Sequence, residues 1–196
     1  MTRKASLLLA LLAVLSLALV AAAGASAHIP RFKNHKIVPG NSIGGLKVGM
    51  TMKQARKAWG KSDKIDTVAF KGYTWYQWLL PVDPGTGTPI LEPKIGYFMH
   101  GGKVAAITVE LPDEPLLATR VTVLKTSKRI GLDGSMADAR SKYGIPTPGP
   151  GEAAQSRAQL KQGKRCTLFY APTNPWTTIE AITVGLCSAQ PGGFSP

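Results

Sequence analysis

The sequence predicts an α+β fold of two tandem repeats, in which a short helix precedes antiparallel strands and the helices pack on one face of the sheet. The first observation is an internal recurrence: residues 51–60, TMKQARKAWG, return as residues 135–144, SMADARSKYG. The second is a shorter recurrence in the same order, since residues 106–109 and 181–184 both read AITV. Two recurrences in one order indicate a duplicated helix-then-strands unit.

Each longer recurrence carries the signals of a short helix. Thr51 and Gln54 form a capping box, in which the Thr hydroxyl accepts from the third helical N–H group and Gln reaches back to the cap. Gly60 predicts a left-handed stop. In the second unit Ser135 is the expected cap and Gly144 the expected stop. Because such short helices are unstable alone in water, their apolar side chains must pack on a sheet.

The strands of the first unit follow its helix. The segment Tyr73–Leu80 is rich in aromatic residues, which favour strands. The pair Gly101–Gly102 predicts a tight turn between strands Ile95–His100 and Lys103–Leu111.

The second unit has its own predicted hairpin, formed by Arg165–Tyr170 and Thr178–Cys187. Between the two units we expect a linking strand at Val121–Leu124. Before the second hairpin we expect a surface helix at Glu152–Gln162.

The N-terminus predicts export. Arg3 and Lys4 supply the positive charge, Leu7–Val20 the apolar stretch and Ala25–Ala27 the small-residue cleavage site of a secretion signal. The stretch falls short of the roughly 20 residues that a membrane helix needs. We therefore expect cleavage after Ala27, no membrane span afterwards, and a location outside the cell or in its envelope; an uncleaved anchor is the less favoured alternative.

The expected organisation follows from these elements and from the composition of the segments between them. It comprises a signal peptide (1–27), a basic arm or linker (28–41), repeat unit 1 (42–111), a linker (112–125), repeat unit 2 (126–187) and a disordered tail (188–196).

The chain carries 24 Lys and Arg residues against 11 Asp and Glu, a formal net charge of +13. This excess favours contact with anionic partners such as nucleic acid, lipid headgroups or cell-wall polyanions. Export argues against nucleic acid as the partner, so lipid headgroups and cell-wall polyanions remain as candidate partners. The alternative is that the surplus Lys and Arg residues only keep a secreted protein soluble.

The two cysteines of the chain, Cys166 and Cys187, both fall in the second unit. An isolated pair in an oxidising compartment is most simply a disulfide. The loop that it closes is about 20 residues long, and the chain-entropy model then gives roughly 3 kcal/mol of stabilisation. Two thiols are too few for a metal site, and the sequence has no Cys-His cluster.

The sequence offers no constellation typical of an enzyme. It contains no nucleophile-elbow, zinc-protease or phosphate-loop pattern, so we expect a non-enzymatic protein without a cofactor or a metal. A remote alternative is a copper-binding protein or hydrolase, because cleavage would make His28 the N-terminus. Its amine and imidazole chelate copper, with His100 or His35 as a second ligand. The Pro-containing basic segment around His28 favours a frayed end instead.

The aromatic segment of the first unit is the candidate binding site. Strand alternation places two of its large aromatics on each face of the sheet. One face must cover the core, so we expect the other pair to be exposed as anchors for a partner protein or a sugar, unless loops cover both. The candidate residues are Tyr73 and Trp75 on one face, Tyr76 and Trp78, the favoured pair, on the other, and Lys94 and Lys103 at a basic rim.

A family resemblance rests on residues 43–60 and the strands after them. Leu-x-Val-Gly-Met-Thr at 46–51, a short helix ending in Trp59-Gly60, and Gly-Lys-Val at 102–104 resemble the tandem repeat of the beta-lactamase inhibitory protein superfamily. The pattern is also similar to the small barrel-assembly lipoprotein of Gram-negative outer membranes. With its cysteine pair, the tandem arrangement resembles uncharacterised secreted actinobacterial proteins.

The resemblance implies helices on an antiparallel sheet in each unit, with a concave sheet face used for binding. This chain departs from the inhibitors in having one cysteine pair instead of one per unit. It departs from the lipoprotein in lacking a lipidation cysteine.

The expected function is that of a secreted, non-enzymatic, inhibitor-like module that binds an extracellular or envelope protein through an aromatic sheet face. The alternative is an envelope module that binds polyanions or glycans. Salt separates the two, because screening weakens polyanion binding steeply and an aromatic-anchored interface only modestly.

Overall fold

A computed structural model describes residues 29–70, 72–78, 95–112, 115–149, 156–171 and 177–189. The described chain contains three helices: α1 (Met52–Trp59), α2 (Pro115–Thr122) and α3 (Met136–Tyr143). Its strands are β1 (Ile37–Val38), β2 (Ser42–Ile43), β3 (Leu46–Lys47), β4 (Lys64–Phe70), β5 (Tyr73–Trp78), β6 (Ile95–His100), β7 (Lys103–Glu110), β8 (Arg157–Gln162), β9 (Arg165–Tyr170) and β10 (Ala181–Leu186).

Two antiparallel sheets organise these elements. Strands β1, β2 and β3 form a three-stranded sheet, and the others form a seven-stranded sheet in the order β4-β5-β6-β7-β10-β9-β8. At the centre of the large sheet β7 pairs with β10, so that Val109 opposes Ile182 and Ile107 opposes Val184. The predicted α+β class, with a few short helices and antiparallel sheets, is confirmed.

The main core lies on one face of the seven-stranded sheet, which we call the helix face. Side chains of α1, α3 and the three-stranded sheet meet alternate side chains of the large sheet there. Wholly buried members include Trp59, Tyr97, Ile107, Leu132 and Phe169. The opposite, or far, face carries a smaller cluster around Trp75 and Phe98.

Trp59 closes this core at the end of α1. Its indole is 1% exposed and meets the ring of Phe32 at 5.3 Å and that of Trp78 at 5.6 Å between centroids, both edge-on. Its Nε1 donates a hydrogen bond to the Gly44 carbonyl at 3.3 Å. One side chain therefore joins α1, the N-terminal segment and β5.

The helix ends follow their sequence signals. The Thr51 hydroxyl accepts from the Gln54 amide while the Gln54 side chain accepts from the Thr51 N–H at 2.9 Å, which completes the capping box. The Ser135 hydroxyl accepts from the amide three residues on. Gly144 ends α3 in the left-handed conformation, with φ +64° and ψ +32°. Gly60 ends α1 with φ +95° and ψ −173°, so the left-handed stop predicted there is wrong, although its positive φ is one that glycine adopts without steric cost.

Three segments differ from the sequence expectation. The linking strand expected at Val121–Leu124 is wrong, since α2 extends to Thr122. The surface helix expected at Glu152–Gln162 is wrong from residue 157 on, because the exposed edge of β9 offers hydrogen bonds that turn 157–162 into β8. Strand β4 was not expected; it completes the sheet beside β5, with a register shift between Asp66 and Phe70.

The N-terminal segment is part of the folded body. Ile29 and Ile37 are buried, β1 pairs with β2, and the Ile37 amide donates to the Lys125 carbonyl at 2.8 Å. The expectation of a basic arm over 28–41 is therefore wrong for residues 29–41, whose sparse apolar residues nevertheless reach the core. The expected signal peptide, His28, Lys94 and tail residues 190–196 lie outside the described residues.

The two helices that the recurrences predicted occupy related places. Each capping residue forms an isolated bridge to a strand-like segment, Thr51 to Lys103 and Ser135 to Thr178. Met136 is buried, whereas its counterpart Met52 is half-buried. The tandem duplication itself stays a prediction.

We expect Trp59→Ala to lower the free energy of unfolding by about 3–5 kcal/mol, because it leaves a large cavity where three segments meet. Denaturant unfolding followed by circular dichroism measures the loss. Tyr143→Ala, at the matching but half-buried position of α3, is the control and should cost less. Equal losses would contradict the central place given to Trp59.

Candidate functional site

The favoured aromatic pair lies on the helix face. Trp78 is 2% exposed, and its ring lies 5.6 Å from that of Trp59. Tyr76 is half-buried and stacks on Tyr97 at 5.3 Å between centroids. These side chains support α1 and belong to the core or its margin.

The other aromatic pair lies on the far face. The Tyr73 ring stacks on His100 at 4.5 Å, and Trp75 lies 4.4 Å from Phe98. Trp75 is only 6% exposed, and its Nε1 donates to the Gln77 side-chain oxygen at 2.5 Å. Tyr73 keeps a partly exposed ring.

The expectation that one pair presents two exposed aromatics is wrong, because each pair contains a buried tryptophan and a half-buried tyrosine. The sequence could not show this, since the neighbours that bury Trp75 and Trp78 come from distant segments. Lys103, expected at the rim, is exposed. A binding role for these residues stays a prediction.

The disulfide predicted between Cys166 and Cys187 is confirmed, with the two Cα atoms 5.0 Å apart. Cys166 lies opposite Gly185 in the sheet, so the bridge runs diagonally from β9 to the residue after β10. The segment beyond it turns back and buries Ala189 in the cluster on the far face. The disulfide therefore also anchors the segment whose Ala189 packs in the same buried cluster as Trp75.

The histidines do not form a shared site in the described chain. His100 has its Nδ1 2.8 Å from the Gly72 carbonyl, and His35 is exposed beside Lys125 in the N-terminal segment. Within the described ranges no group of three or more His, Cys, Asp and Glu side chains could hold a metal ion.

None of the helices in the described part of the chain has the length and apolar character that crossing a bilayer requires.

A cavity of about 550 Å³ beside α3 was not foreseen from the sequence. Residues 135–137, the 144–148 segment and Thr177 line it together with Arg140. Arg140 is 8% exposed and donates to the Pro146 carbonyl at 2.6 Å and to the Arg157 carbonyl, so it ties the cavity wall and β8 to α3. Burial lowers the pKa of this guanidinium. The lining contains no His, Cys or carboxylate side chain.

Tyr97 marks the contact between α1 and the sheet. Its hydroxyl donates to the Met52 sulfur at 3.5 Å. Burial raises the pKa of Tyr97 to about 12, although the positive charge of Arg56 opposes this rise. The group is therefore held neutral as part of the packing.

The exposed surface of the N-terminal segment and α1 is strongly basic. Residues 29–62 contain eight Lys and Arg residues and no Asp or Glu. All eight side chains are exposed: Arg31, Lys33, Lys36, Lys47, Lys53, Arg56, Lys57 and Lys61. The core residues between them hold these charges on a fixed scaffold, because α1 and the three-stranded sheet bury only their apolar faces.

No protein-family model matches the chain, and a search of characterised sequences also gives no match. Solved structures similar to the chain include an extracellular protein and a secretory protein of two bacteria. An extracellular protein of Bacillus anthracis strain Ames that contains an SCP domain has 12% identity and a TM-score of 0.47, over 71% of this chain and 44% of its own. A cysteine-rich secretory protein of Staphylococcus aureus strain Mu50 has 10% identity and a TM-score of 0.52, over 82% of this chain and 52% of its own.

The chain thus spans about half the length of these two proteins. At 10% identity the Staphylococcus aureus structure shows a shared fold and no more, and the lower TM-score of the other carries no argument. The resemblance to beta-lactamase inhibitory proteins and to the barrel-assembly lipoprotein is wrong, since the structure that shares the fold is a cysteine-rich secretory protein. A capped two-turn helix and a glycine turn are too short a pattern to separate families.

Replacing both cysteines by serine should lower the free energy of unfolding by about 3 kcal/mol in the chain-entropy model. It should also loosen the segment of Ala189 and shift the fluorescence of Trp75 to longer wavelength. Denaturant unfolding and emission spectra check both effects. Trp75→Phe in the serine background is the control, because it must remove the shift.

Stability should fall as pH rises from about 10 to about 12. The neutral form of Tyr97 is favoured in the folded state, where its pKa is about 12 against an ordinary 10.0, so its contribution is complete below pH 10 and lost by pH 12. Unfolding measured across this range should show a smaller slope for Tyr97→Phe. An unchanged slope in that variant would assign the effect to other groups.

Proposed function

We propose that this chain is a secreted, non-enzymatic module that binds an anionic polymer of the cell envelope. The observation that carries the proposal is the basic surface of residues 29–62, which has eight exposed cations and no carboxylate in its sequence. Such a surface creates a positive potential that attracts polyanions over a distance of about 10 Å at an ionic strength of about 0.1 M.

The positive charges on α1 lower the stability of the helix itself. Lys53 and Lys57 are four residues apart and lie on the same flank, a like-charge arrangement that costs about 0.2–0.5 kcal/mol. The first turn of α1 has no acidic residue, although one would interact favourably with the helix dipole. A helix built only for stability would carry a mixture of charges here, so the composition supports a binding role.

Secretion is supported by two further observations. The disulfide between Cys166 and Cys187 is of the kind that persists in oxidising compartments. The first 27 residues read as a secretion signal, and the similar Staphylococcus aureus protein is itself described as secretory.

A second candidate function is protein binding through the two half-buried tyrosines of the aromatic strand β5. Tyr73 and Tyr76 lie on opposite faces of β5, and each retains part of its ring surface for a partner. Because Trp75 and Trp78 are buried, little apolar surface of this strand is exposed to a partner. Protein binding is therefore less well supported than polyanion binding. An inhibitor role would be a special case of protein binding.

The test is binding of the purified chain to immobilised inorganic polyphosphate, with neutral dextran as the control matrix. Affinity should fall about tenfold or more when ionic strength rises from about 0.01 M to about 0.15 M, because the Debye length shortens from about 30 Å to about 8 Å. Retention on dextran, or binding that ignores salt, would contradict the proposal and favour an apolar interface.

A further inference from the structure

The turns at one end of the seven-stranded sheet gather cations that lie far apart in the sequence. Strands β6 and β7 meet where His100 opposes Lys103, and β8 and β9 meet where Gln162 opposes Arg165. Because β10 links β7 to β9 in antiparallel register, both turns fall at the same end of the sheet. Lys103 and Lys164 are therefore brought to one edge of the molecule.

Two more lysines reach this end from the helix face. Thr51, which caps α1, bridges to Lys103, and the Gly49 amide donates to the Val104 carbonyl at 2.7 Å. Lys47 and Lys53 lie beside these contacts. Lys161 also lies at this end, because it opposes Cys166 beside the β8–β9 turn. We call the basic end the set of five exposed lysines Lys47, Lys53, Lys103, Lys161 and Lys164.

The two ends of the sheet differ in charge. The described turns 100–103 and 162–165 contain no Asp or Glu. Four residues with carboxylate side chains lie at the other end. Glu110 ends β7 opposite Ala181, and the Glu180 amide donates to the Tyr170 carbonyl. The Asp63 amide donates to the Gln77 carbonyl, and the Asp133 amide donates to the Ile179 carbonyl. Strand order gathers these carboxylates at one end, which also carries Lys64 opposite Gln77 and Arg157 opposite Tyr170.

We infer that the docking site for a linear, phosphate- or carboxylate-bearing polymer is the basic end, which joins Lys47 and Lys53 of the basic surface to Lys103, Lys161 and Lys164 outside it. The inference rests on the proposed function and locates it. The two turns are three strand spacings apart, or about 14 Å, so their lysines form a row across the ends of the strands. A row of separate cations matches the repeated charges of an extended chain, and the carboxylates at the far end discourage attachment there.

Two triple variants with the same change in charge test the site. Lys103→Gln/Lys161→Gln/Lys164→Gln removes three charges from the basic end. The matched control, Arg31→Gln/Lys57→Gln/Lys61→Gln, removes three exposed charges near the C-terminal end of α1. With inorganic polyphosphate as the probe in dilute buffer, the first triple should weaken binding about tenfold or more and the control about threefold or less.

Equal losses in the two triples would overturn the location and leave the proposed function intact, whereas no binding by the unmodified chain would overturn the proposed function itself. Thermal melts check that both variants fold. Amide shifts of the unmodified protein give a second readout: polyphosphate should move the signals of residues 100–103 and 162–165, and shifts confined to 57–61 would contradict the site. Tighter binding to phosphatidylglycerol vesicles through the same lysines would replace the linear polymer with a membrane surface.

Discussion

The pairing of β7 with β10 is the contact on which the rest of the structure depends. It joins strands from the two parts of the chain into one seven-stranded sheet and removes two exposed strand edges. The approach is close: a Cβ atom on Gly185 would lie 2.6 Å from both the Ala106 Cβ and the Ala105 carbonyl oxygen. The Thr108 and Thr183 hydroxyls, 3.0 Å apart, add a hydrogen bond across the same junction. Small and hydroxylated side chains thus meet on the far face of this junction, whereas Val and Ile side chains meet on the helix face.

The three-stranded sheet covers this junction on the helix face and connects the N-terminal segment to the second hairpin. The Gly40 amide donates to the Thr167 hydroxyl at 2.6 Å, and Arg165 donates to the Asn41 side chain at 2.5 Å. These buried and half-buried contacts fix a segment whose sequence resembles a linker. The same contacts hold its cations at the surface, so packing of the core and display of charge are coupled.

Local signals predicted those parts of the fold that local interactions decide. The capping residues Thr51 and Ser135 and the glycine pair at 101–102 act within a few residues, and the elements around them form as predicted. Strand β8 depends on β9 for its hydrogen bonds, and the burial of Trp75 depends on Phe98 and Ala189. Such contacts join distant segments and give no periodic pattern in the sequence, which is why the exposed aromatic face was wrongly expected and why Lys103 alone of the basic end was expected at a basic rim.

Separation of charge along the strands also gives the molecule a permanent electric dipole. A body with cations alone at one end and carboxylates mixed with cations at the other experiences a torque in the field of a charged surface before any atoms touch. The molecule therefore approaches an anionic surface in a preferred orientation, with the β6–β7 and β8–β9 turns directed toward it. The opposite end of the sheet, where Glu110 and Glu180 lie, then faces away from that surface.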